Sequence, residues 1–187
     1  NLEFLSCIPG SIGGGIVMNI GCYNNDISKV LLSIKAIDIN NLKEIEINRE
    51  DIKFLYRGTD LSENLIIISA KLKGLIGNKA EIEKKQSDLI ERKKLSQPSQ
   101  IKTCGSTFKN PKDKKAWELI KDSNCNLASF GKASISKKHC NFFVNEGGAS
   151  SQDIEKLIES VRQKVLDKQN VNLELELKII GETNNND

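Results

Sequence analysis

Residues 151–179 read SQDIEKLIESVRQKVLDKQNVNLELELKI, and two hydrophobic patterns follow one another in this stretch. The first part has apolar residues three or four positions apart, the spacing of one helix face, at Ile154, Leu157, Ile158, Val161, Val165 and Leu166. From residue 171 onward apolar and polar side chains alternate, which predicts a strand with one face in a core and the other in water. The stretch therefore predicts a long helix, capped by Ser151, and then a strand, in a chain of mixed α and β structure.

The upstream part of the chain mixes the same two types of element. Strands are predicted at 30–39, 42–47 and 64–75, and the first two are expected to form a hairpin. A helix is predicted from Asn78 to about Leu95, and the polar run 96–99 after it is the best domain boundary. Shorter elements are predicted beyond it, a helix at 116–120 and an apolar strand at 141–145.

The composition describes a soluble globular protein and argues against several classes of function. Of 187 residues, 38% are hydrophobic and 28% charged, and no apolar run approaches the roughly 20 residues that cross a bilayer. A net charge of +3 with 5% aromatic residues is too mild to indicate a nucleic-acid partner. We therefore expect a cytoplasmic monomer that binds neither membrane nor nucleic acid.

The cysteine and histidine contents limit the available chemistry further. Five cysteines occur without a CxxC pair, which favours reduced thiols in a cytosol. The single histidine, His139, leaves little material for a zinc site or for Ser-His-Asp hydrolysis, so no metal is expected. The chain begins at Asn1 and leads straight into an apolar stretch, which we interpret as a natural beginning that is missing.

One short run has the clearest chemical content; it reads Cys104-Gly105-Ser106-Thr107-Phe108-Lys109-Asn110-Pro111. A small-residue turn there presents the hydroxyl of Ser106 beside the cation of Lys109 and the amide of Asn110. Such a set can donate a proton to a reacting carbon while it holds an anionic substrate. Gly-Ser turns also serve simply to reverse the chain, so the run alone leaves both interpretations open.

A second segment is rich in glycine; residues 8–23 read IPGSIGGGIVMNIGCY. Glycine allows left-handed backbone conformations and close approach to a ligand, so the N–H groups of this segment can cradle a pyrophosphate. The spacing is neither that of a Walker loop nor that of a dinucleotide-binding fingerprint. From the spacing alone, a structural turn is the commoner explanation.

Five segments in this order resemble the family of UDP-N-acetylenolpyruvoylglucosamine reductases of peptidoglycan synthesis. They are LEFL at 2–5, the glycine-rich segment, YRGT at 56–59, the run around Ser106, and LELELKIIG at 173–181. Thr59 stands where serine is commoner in the family, and Leu175 where proline is frequent. The resemblance implies an α+β fold: the second lobe of a PCMH-type FAD-binding domain (1–96) and a small α/β substrate-binding C-terminal domain (97–182). The polar residues 183–187 predict a disordered tail.

The resemblance also implies a reaction and its catalytic residues. It is the NADPH-dependent reduction of UDP-N-acetylglucosamine enolpyruvate to UDP-N-acetylmuramate, with FAD as the bound flavin. Ser106 would be the proton donor, and Arg57 and Glu176 would stabilise the enolate. Glu176 is preferred to Glu174 because the second glutamate of the family's motif carries the role.

Binding contacts follow from the same resemblance. Flavin contacts are expected along the glycine-rich segment, at Ile8, Pro9, Gly10, Ser11, Ile12, Gly13, Gly14, Gly15, Met18, Asn19 and Gly21. The UDP-sugar substrate is expected to contact Tyr56, Lys94 and Asn110. His139 lies in a stretch similar to the family's Ser-x-Lys-His-x-Asn-Phe, where a structural hydrogen bond is the commoner role for a lone histidine and acid–base chemistry is the alternative.

A second hypothesis comes from another class of function. The family has an N-terminal flavin subdomain that we expect this chain to lack. Two hypotheses follow: the chain takes part in catalysis only within a longer polypeptide, or it acts as a non-catalytic module. Such a module would bind the nucleotide sugar or a partner protein and would not hold FAD. The flavin colour of the purified chain separates the two hypotheses.

Overall fold

The computed structural model describes residues 1–181, and the chain divides into two compact units, Asn1–Lys93 and Lys94 onward. The division falls inside the helix Lys79–Ser96, slightly before the boundary predicted at 96–97. Both units combine helices and strands, which confirms the mixed α and β fold class. The predicted tail at 183–187 lies outside the described residues.

The first unit is built on a three-stranded antiparallel sheet. In chain order its elements are α1 (Ile12–Val17), β1 (Gly21–Cys22), β2 (Asn25–Asp26), β3 (Leu31–Asp38), β4 (Lys43–Asn48), β5 (Phe54–Leu55), β6 (Gly58–Thr59), β7 (Leu65–Leu72) and α2 (Lys79–Ser96). The sheet has the order β4-β3-β7, and β3 with β4 is the predicted hairpin. Two smaller hairpins, β1–β2 and β5–β6, complete the unit. Its core consists of Phe4, Ile16, Ile27, Val30, Leu31, Ile34 and Ile52.

The glycine-rich segment contains a helix where the sequence predicts only a loop. Gly13, Gly14 and Gly15 all lie in α1, despite the low helix propensity of glycine. Ile16, on the same helix, is completely buried in the core, and this packing supplies the helix stability that the propensity of glycine does not. A Cβ on Gly15 would lie 2.6 Å from the Cδ1 of Ile20, so close packing is what requires this glycine.

The second unit places helices against a four-stranded antiparallel sheet. Its elements are β8 (Lys102–Ser106), α3 (Ala116–Asp122), β9 (Ser129–Phe130), β10 (Ala133–Ile135), β11 (Phe142–Asn145) and α4 (Ser151–Gln169). The strand order is β8-β11-β10-β9. The core joins the sheet and both helices through Phe108, Ala116, Leu119, Ile120, Ala133, Ile135, Phe143, Leu157, Ile158, Val161, Val165 and Leu173, among others. Within it the rings of Phe108 and Phe143 meet edge to face, with centroids 5.9 Å apart.

The segment 171–179 is extended but does not form the predicted strand. Within residues 1–181 a single bridge, between Phe108 and Leu175, connects it to other backbone. Leu173 is buried as expected, whereas Ile179, predicted to face the core, is 53% exposed. The alternation of apolar and polar residues indicates which side chains are buried. A strand also needs a hydrogen-bonded partner backbone, and here that partner is only three residues long, 107–109.

Neither of the long helices, α2 or α4, has an apolar stretch that could cross a membrane, and the same holds for every other helix within residues 1–181.

Helix α4 has a complete N-terminal cap, one residue earlier than predicted. The hydroxyl of Ser150, not of Ser151, accepts the N–H of Asp153 at 3.1 Å. The carboxylate of Asp153 accepts the N–H of Ser150 at 3.0 Å in return. This reciprocal pair is a capping box, which satisfies two backbone donors that the helix itself cannot pair.

Replacing Ser150 with alanine tests the cap. We expect Ser150→Ala to lower the free energy of unfolding by about 1 kcal/mol, because the N–H of Asp153 loses its acceptor. The measurement is urea unfolding followed by far-UV circular dichroism. Ser151→Ala is the matched control, since this exposed residue is the first of the helix and should change stability little. Equal losses in the two variants would contradict the cap assignment.

Candidate functional site

The turn of the β5–β6 hairpin carries the first predicted catalytic residue. Phe54 pairs with Thr59 and Leu55 with Gly58, so Tyr56 and Arg57 form the two-residue turn. Arg57 has φ 56°, a left-handed conformation that costs a non-glycine residue roughly 1–2 kcal/mol. Its guanidinium lies 5.2 Å from the centroid of the Tyr56 ring. A two-residue hairpin turn commonly requires a positive φ, so the turn itself accounts for this conformation.

Three hydrogen bonds attach this hairpin to the glycine-rich segment. Arg57 Nη2 donates to the carbonyl oxygen of Gly21 at 3.0 Å, and Thr59 Oγ1 donates to that of Val17 at 3.1 Å. Asn19 Nδ2 donates to the carbonyl oxygen of Leu55 at 2.9 Å. The first unit therefore brings the predicted flavin-binding segment and the predicted catalytic arginine together. The bond from Thr59 needs only a hydroxyl, which the serine commoner in the family would also supply.

The glycine-rich segment has donors and an acceptor that suit a cofactor with a diphosphate. Residues 9–12 are exposed, and Gly10 has φ 129° with open space around it. Within residues 1–181 no hydrogen bond uses the N–H groups at 10–13. Asn19 Oδ1 is buried and lacks a donor within the same residues, which is costly for a polar atom. Backbone N–H groups suit phosphate oxygens, and a ligand N–H or O–H would satisfy the asparagine, so the segment fits FAD.

In the second unit, a β-bulge positions Ser106 at the end of β8. Phe142 pairs with Ser106 and Val144 with Thr103, so two residues of β8 lie opposite one residue of β11. One of the two, Gly105, has φ 85°. A Cβ there would meet nothing within 4 Å, so conformation rather than space requires glycine. Such bulges bend a strand locally and redirect the next side chain, here that of Ser106.

The residues after Ser106 pair with the segment that carries Glu176. The N–H of Glu176 donates to the carbonyl oxygen of Thr107 at 2.9 Å, and the N–H of Lys109 donates to that of Glu174 at 2.8 Å. These two bonds flank the bridge between Phe108 and Leu175. The backbone at Glu176 is thus fixed to the residue next to Ser106, and the structure brings these two predicted catalytic residues into one region of the second unit.

The two glutamates of this segment have different surroundings. The side chain of Glu174 is 77% exposed, and its carboxylate lies 3.6 Å from the ammonium of Lys109. An exposed ion pair of this kind contributes little to stability. Glu176 is half-buried, a more sheltered position for a carboxyl group that must hydrogen-bond a reacting molecule. Its role, like that of Arg57 and Ser106, stays a prediction.

The three predicted substrate contacts are distributed over both units. Tyr56 is 52% exposed in the first unit. Lys94 is exposed near the end of α2, and its carbonyl oxygen accepts from the ammonium of Lys138. Asn110 Oδ1 accepts the N–H of Ala116 at 3.0 Å and so caps α3, whose own N-cap side chain makes no capping bond. Asn110 therefore has a structural contact of its own in addition to any substrate contact.

His139 makes a structural hydrogen bond. Its Nδ1 accepts the backbone N–H of Asn141 at 3.2 Å. The ring packs edge-on against Phe142 and Trp117, with centroids 4.8 and 6.4 Å away. Burial lowers the pKa of His139 below its ordinary value, which agrees with a neutral ring whose Nδ1 is an acceptor. The structure thus favours the structural interpretation of this histidine over acid–base chemistry.

Comparison with known proteins shows which family this chain resembles. Residues 97–180 match the profile of the UDP-N-acetylenolpyruvoylglucosamine reductase C-terminal domain. The UDP-N-acetylenolpyruvoylglucosamine reductase of Pelagibacter ubique is 51% identical over 181 residues, which cover 95% of this chain and 60% of that protein. The corresponding reductase of Wolbachia pipientis wMel is 45% identical, over 96% of this chain and 61% of that protein. Along nearly its whole length the chain is therefore similar to the UDP-N-acetylenolpyruvoylglucosamine reductases.

The tertiary structure shows the same similarity to a reductase of this name. The crystal structure of the UDP-N-acetylenolpyruvylglucosamine reductase of Thermus caldophilus matches with a TM-score of 0.84 and 29% sequence identity. The match covers 95% of this chain and 63% of that one. The chain spans about 60% of the length of the curated relatives of the reductase family that it matches.

Sequence reasoning missed one residue near the family's Ser106 motif. Asn141 is 4% exposed, and its side chain bonds the backbone of Phe108, 33 residues away. The available signal was the asparagine of the Ser-x-Lys-His-x-Asn-Phe stretch, a polar residue at the start of the apolar strand predicted at 141–145. That signal is weak because local sequence does not indicate the distant partner.

The bulge at Gly105 provides a stability test. We expect Gly105→Ala to lower the free energy of unfolding by roughly 1–2 kcal/mol, because alanine is strained at φ 85° although there is room for its methyl group. Gly58→Ala is the matched control: the surrounding space is also open, but its φ is not in the left-handed region. Chemical denaturation of both variants gives the comparison. A loss as large at Gly58 as at Gly105 would refute the conformational explanation.

The lowered pKa of His139 predicts a pH dependence of stability. Between the folded-state pKa and the unfolded value of about 6.5, the unfolded chain binds more protons, so the free energy of unfolding falls as the pH falls. The contribution is complete above the unfolded pKa and is lost as the pH falls through the folded pKa. We expect His139→Asn, which keeps an acceptor but does not titrate, to flatten this part of the profile. Unfolding curves at a series of pH values measure it, and parallel profiles would contradict the assignment.

Proposed function

We propose that this chain forms the flavin-contacting and substrate-reducing part of a UDP-N-acetylenolpyruvoylglucosamine reductase. In a polypeptide of the relatives' full length, the reaction is the reduction of UDP-N-acetylglucosamine enolpyruvate to UDP-N-acetylmuramate. The observation that carries the proposal is the backbone pairing of Thr107 with Glu176, beside Ser106, in a chain 51% identical to a reductase of that name. NADPH as reductant, a cytoplasmic location and a monomeric state are parts of the same proposal.

The glycine-rich segment holds FAD in this proposal. Its N–H groups at 10–13, which make no hydrogen bond within residues 1–181, bind phosphate oxygens, and Asn19 Oδ1 accepts a donor that the described residues do not supply. Arg57 is tied to the same segment through Gly21. When bound, FAD, reduced by NADPH, supplies a hydride to the terminal vinyl carbon of the substrate. The chain's own part is to bind, to orient and to manage charge and protons.

Charge stabilisation is the task of Arg57 and Glu176. As the vinyl carbon gains a hydride, the electron pair of the double bond moves to the neighbouring carbon and spreads into the carboxylate as an enolate. A guanidinium stays charged and can hold a carboxylate through two parallel hydrogen bonds. Glu176, if protonated, donates a hydrogen bond to the same group. Tyr56, Lys94 and Asn110 hold the UDP-sugar in place.

The proton comes from Ser106 in this proposal. The hydroxyl transfers its proton to the enolate carbon, which completes the saturation of the double bond and leaves an alkoxide. Because serine is a weak acid, the alkoxide needs a nearby cation or a relay that returns a proton from water. Lys109 or a water molecule can serve. The backbone of Lys109 is in the same three-residue ladder as Thr107, and its ammonium lies 3.6 Å from the carboxylate of Glu174.

The second unit carries two of the predicted substrate contacts, Lys94 and Asn110, without the glycine-rich segment, which favours a second candidate function: a module that binds the nucleotide sugar without flavin. The absorbance spectrum of the purified chain, before and after incubation with FAD, distinguishes the two. A chain that cannot be loaded with FAD but binds UDP-N-acetylglucosamine in calorimetry would support the module.

Ser106→Ala tests the proton-donor role. In a polypeptide of the relatives' full length, NADPH should still reduce the flavin at the normal rate. Re-oxidation of the flavin by the enolpyruvyl substrate should slow about 10²- to 10⁴-fold, the typical contribution of a positioned acid. Stopped-flow absorbance of the flavin measures the two half-reactions separately. Ser129→Ala, at an exposed strand position, is the control, and unchanged re-oxidation in Ser106→Ala would refute the role.

A further inference from the structure

The backbone of residues 107–109 is hydrogen-bonded on two sides. On one side, the carbonyl oxygen of Thr107 and the N–H of Lys109 bond the segment 174–176. In an antiparallel ladder the polar groups of successive residues point to opposite sides, so the N–H and carbonyl of Phe108 itself point away from that segment. Phe108 is completely buried, and its backbone groups therefore need partners other than water.

The side chain of Asn141 provides both partners. Asn141 Nδ2 donates to the carbonyl oxygen of Phe108 at 2.8 Å, and Asn141 Oδ1 accepts the N–H of Phe108 at 3.0 Å. The carbonyl oxygen of Asn141 accepts the N–H of Thr107 at 2.8 Å. A carboxamide carries the same donor and acceptor as a peptide group, so this side chain replaces a strand residue where the regular pairing of β8 with β11 has ended.

Asn141 is itself fixed by its surroundings. It is 4% exposed, and its own N–H donates to Nδ1 of His139. A buried amide that is hydrogen-bonded at both its nitrogen and its oxygen has little freedom to rotate. The position of the 107–109 segment is thus set by Asn141 on one side and by 174–176 on the other.

We propose that Asn141 is a positioning residue for the proton transfer: through Phe108 it holds Ser106 at a fixed spacing from Glu176. This inference rests on the proposed function. Asn141 acts through Phe108 rather than on the substrate, so it is not a catalytic residue. Its loss would let the segment after Ser106 shift, and displacement of a reacting group by about 1 Å can slow a reaction about 100-fold.

Asn141→Asp is the decisive variant because aspartate has the same shape. The ionised carboxylate still accepts the N–H of Phe108 but places a second oxygen against the carbonyl oxygen of Phe108. When protonated, the carboxyl group regains a donor and can restore both bonds. Loss of positioning should therefore be reversed by acid.

Asn145→Asp is the matched control. The amide of Asn145 also hydrogen-bonds backbone groups: its Oδ1 accepts the N–H groups of Gly147 and Ala149, and its Nδ2 donates to the carbonyl oxygen of Ala149. It lies at the other end of β11 and makes none of its bonds to the 107–109 segment. Asn141→Ser is a second, smaller variant, in case the aspartate prevents folding at neutral pH.

The kinetic test uses a polypeptide of the relatives' full length. In Asn141→Asp we expect normal reduction of the flavin by NADPH and a 10- to 100-fold slower re-oxidation by the enolpyruvyl substrate at neutral pH. The ratio of this rate to wild type should rise as the pH is lowered, and Asn145→Asp should show no such rise. Re-oxidation in Asn141→Asp and Asn141→Ser as fast as in wild type would overturn the proposal, and so would a deficit in Asn141→Asp that is the same at every pH.

A second measurement does not depend on activity. Amide hydrogen exchange in the 187-residue chain should show faster exchange at Lys109 and Glu176 in Asn141→Asp, and unchanged exchange at both in Asn145→Asp. Unchanged exchange in Asn141→Asp would contradict the proposal that Asn141 holds the 107–109 segment in place, whatever the kinetics show. If the wild-type polypeptide fails to reduce the enolpyruvyl substrate, the proposed function fails, and the exchange pattern still decides whether Asn141 holds the segment.

Discussion

The pairing of the 107–109 segment on both sides is the constraint on which the second unit depends. The ring of Phe108 is buried in the core, so the chain must pass through the interior at this point and satisfy its polar backbone there. The side chain of Asn141 and the segment 174–176 together meet that requirement. Because Ser106 and Glu176 adjoin the paired residues, the packing of one phenylalanine also fixes the backbone of two candidate catalytic groups.

In the first unit, too, side chains hydrogen-bond the backbone of a distant segment. Its β5–β6 hairpin has only two residues in each strand, too few for a hairpin to be stable alone. Side chains of Asn19, Arg57 and Thr59 bond backbone carbonyls between the hairpin and the glycine-rich segment. These bonds also hold Arg57 in its left-handed conformation, so local strain is offset by contacts from outside the turn.

Periodicity predicted the long elements correctly and failed where tertiary partners decide. The β3–β4 hairpin and helices α2 and α4 follow from the sequence pattern, and the structure confirms them, although Ser150 rather than the predicted Ser151 caps α4. The segment 171–179 alternates like a strand, yet its backbone finds only a three-residue partner. The glycines of α1 argue against a helix locally, but burial of Ile16 outweighs their low propensity.

The sequence by itself determined the fold class, the resemblance to the reductase family and the candidate residues Arg57, Ser106 and Glu176, because these depend on residue type and order along the chain. Tertiary structure alone decided that Thr107 bonds the backbone of Glu176 and that Asn141 bonds Phe108. The physical reason is the distance along the chain between partners: a hydrogen bond across 33 residues leaves no periodic trace in either segment. Local pattern identifies groups that need partners, and only the packed chain determines which partners they find.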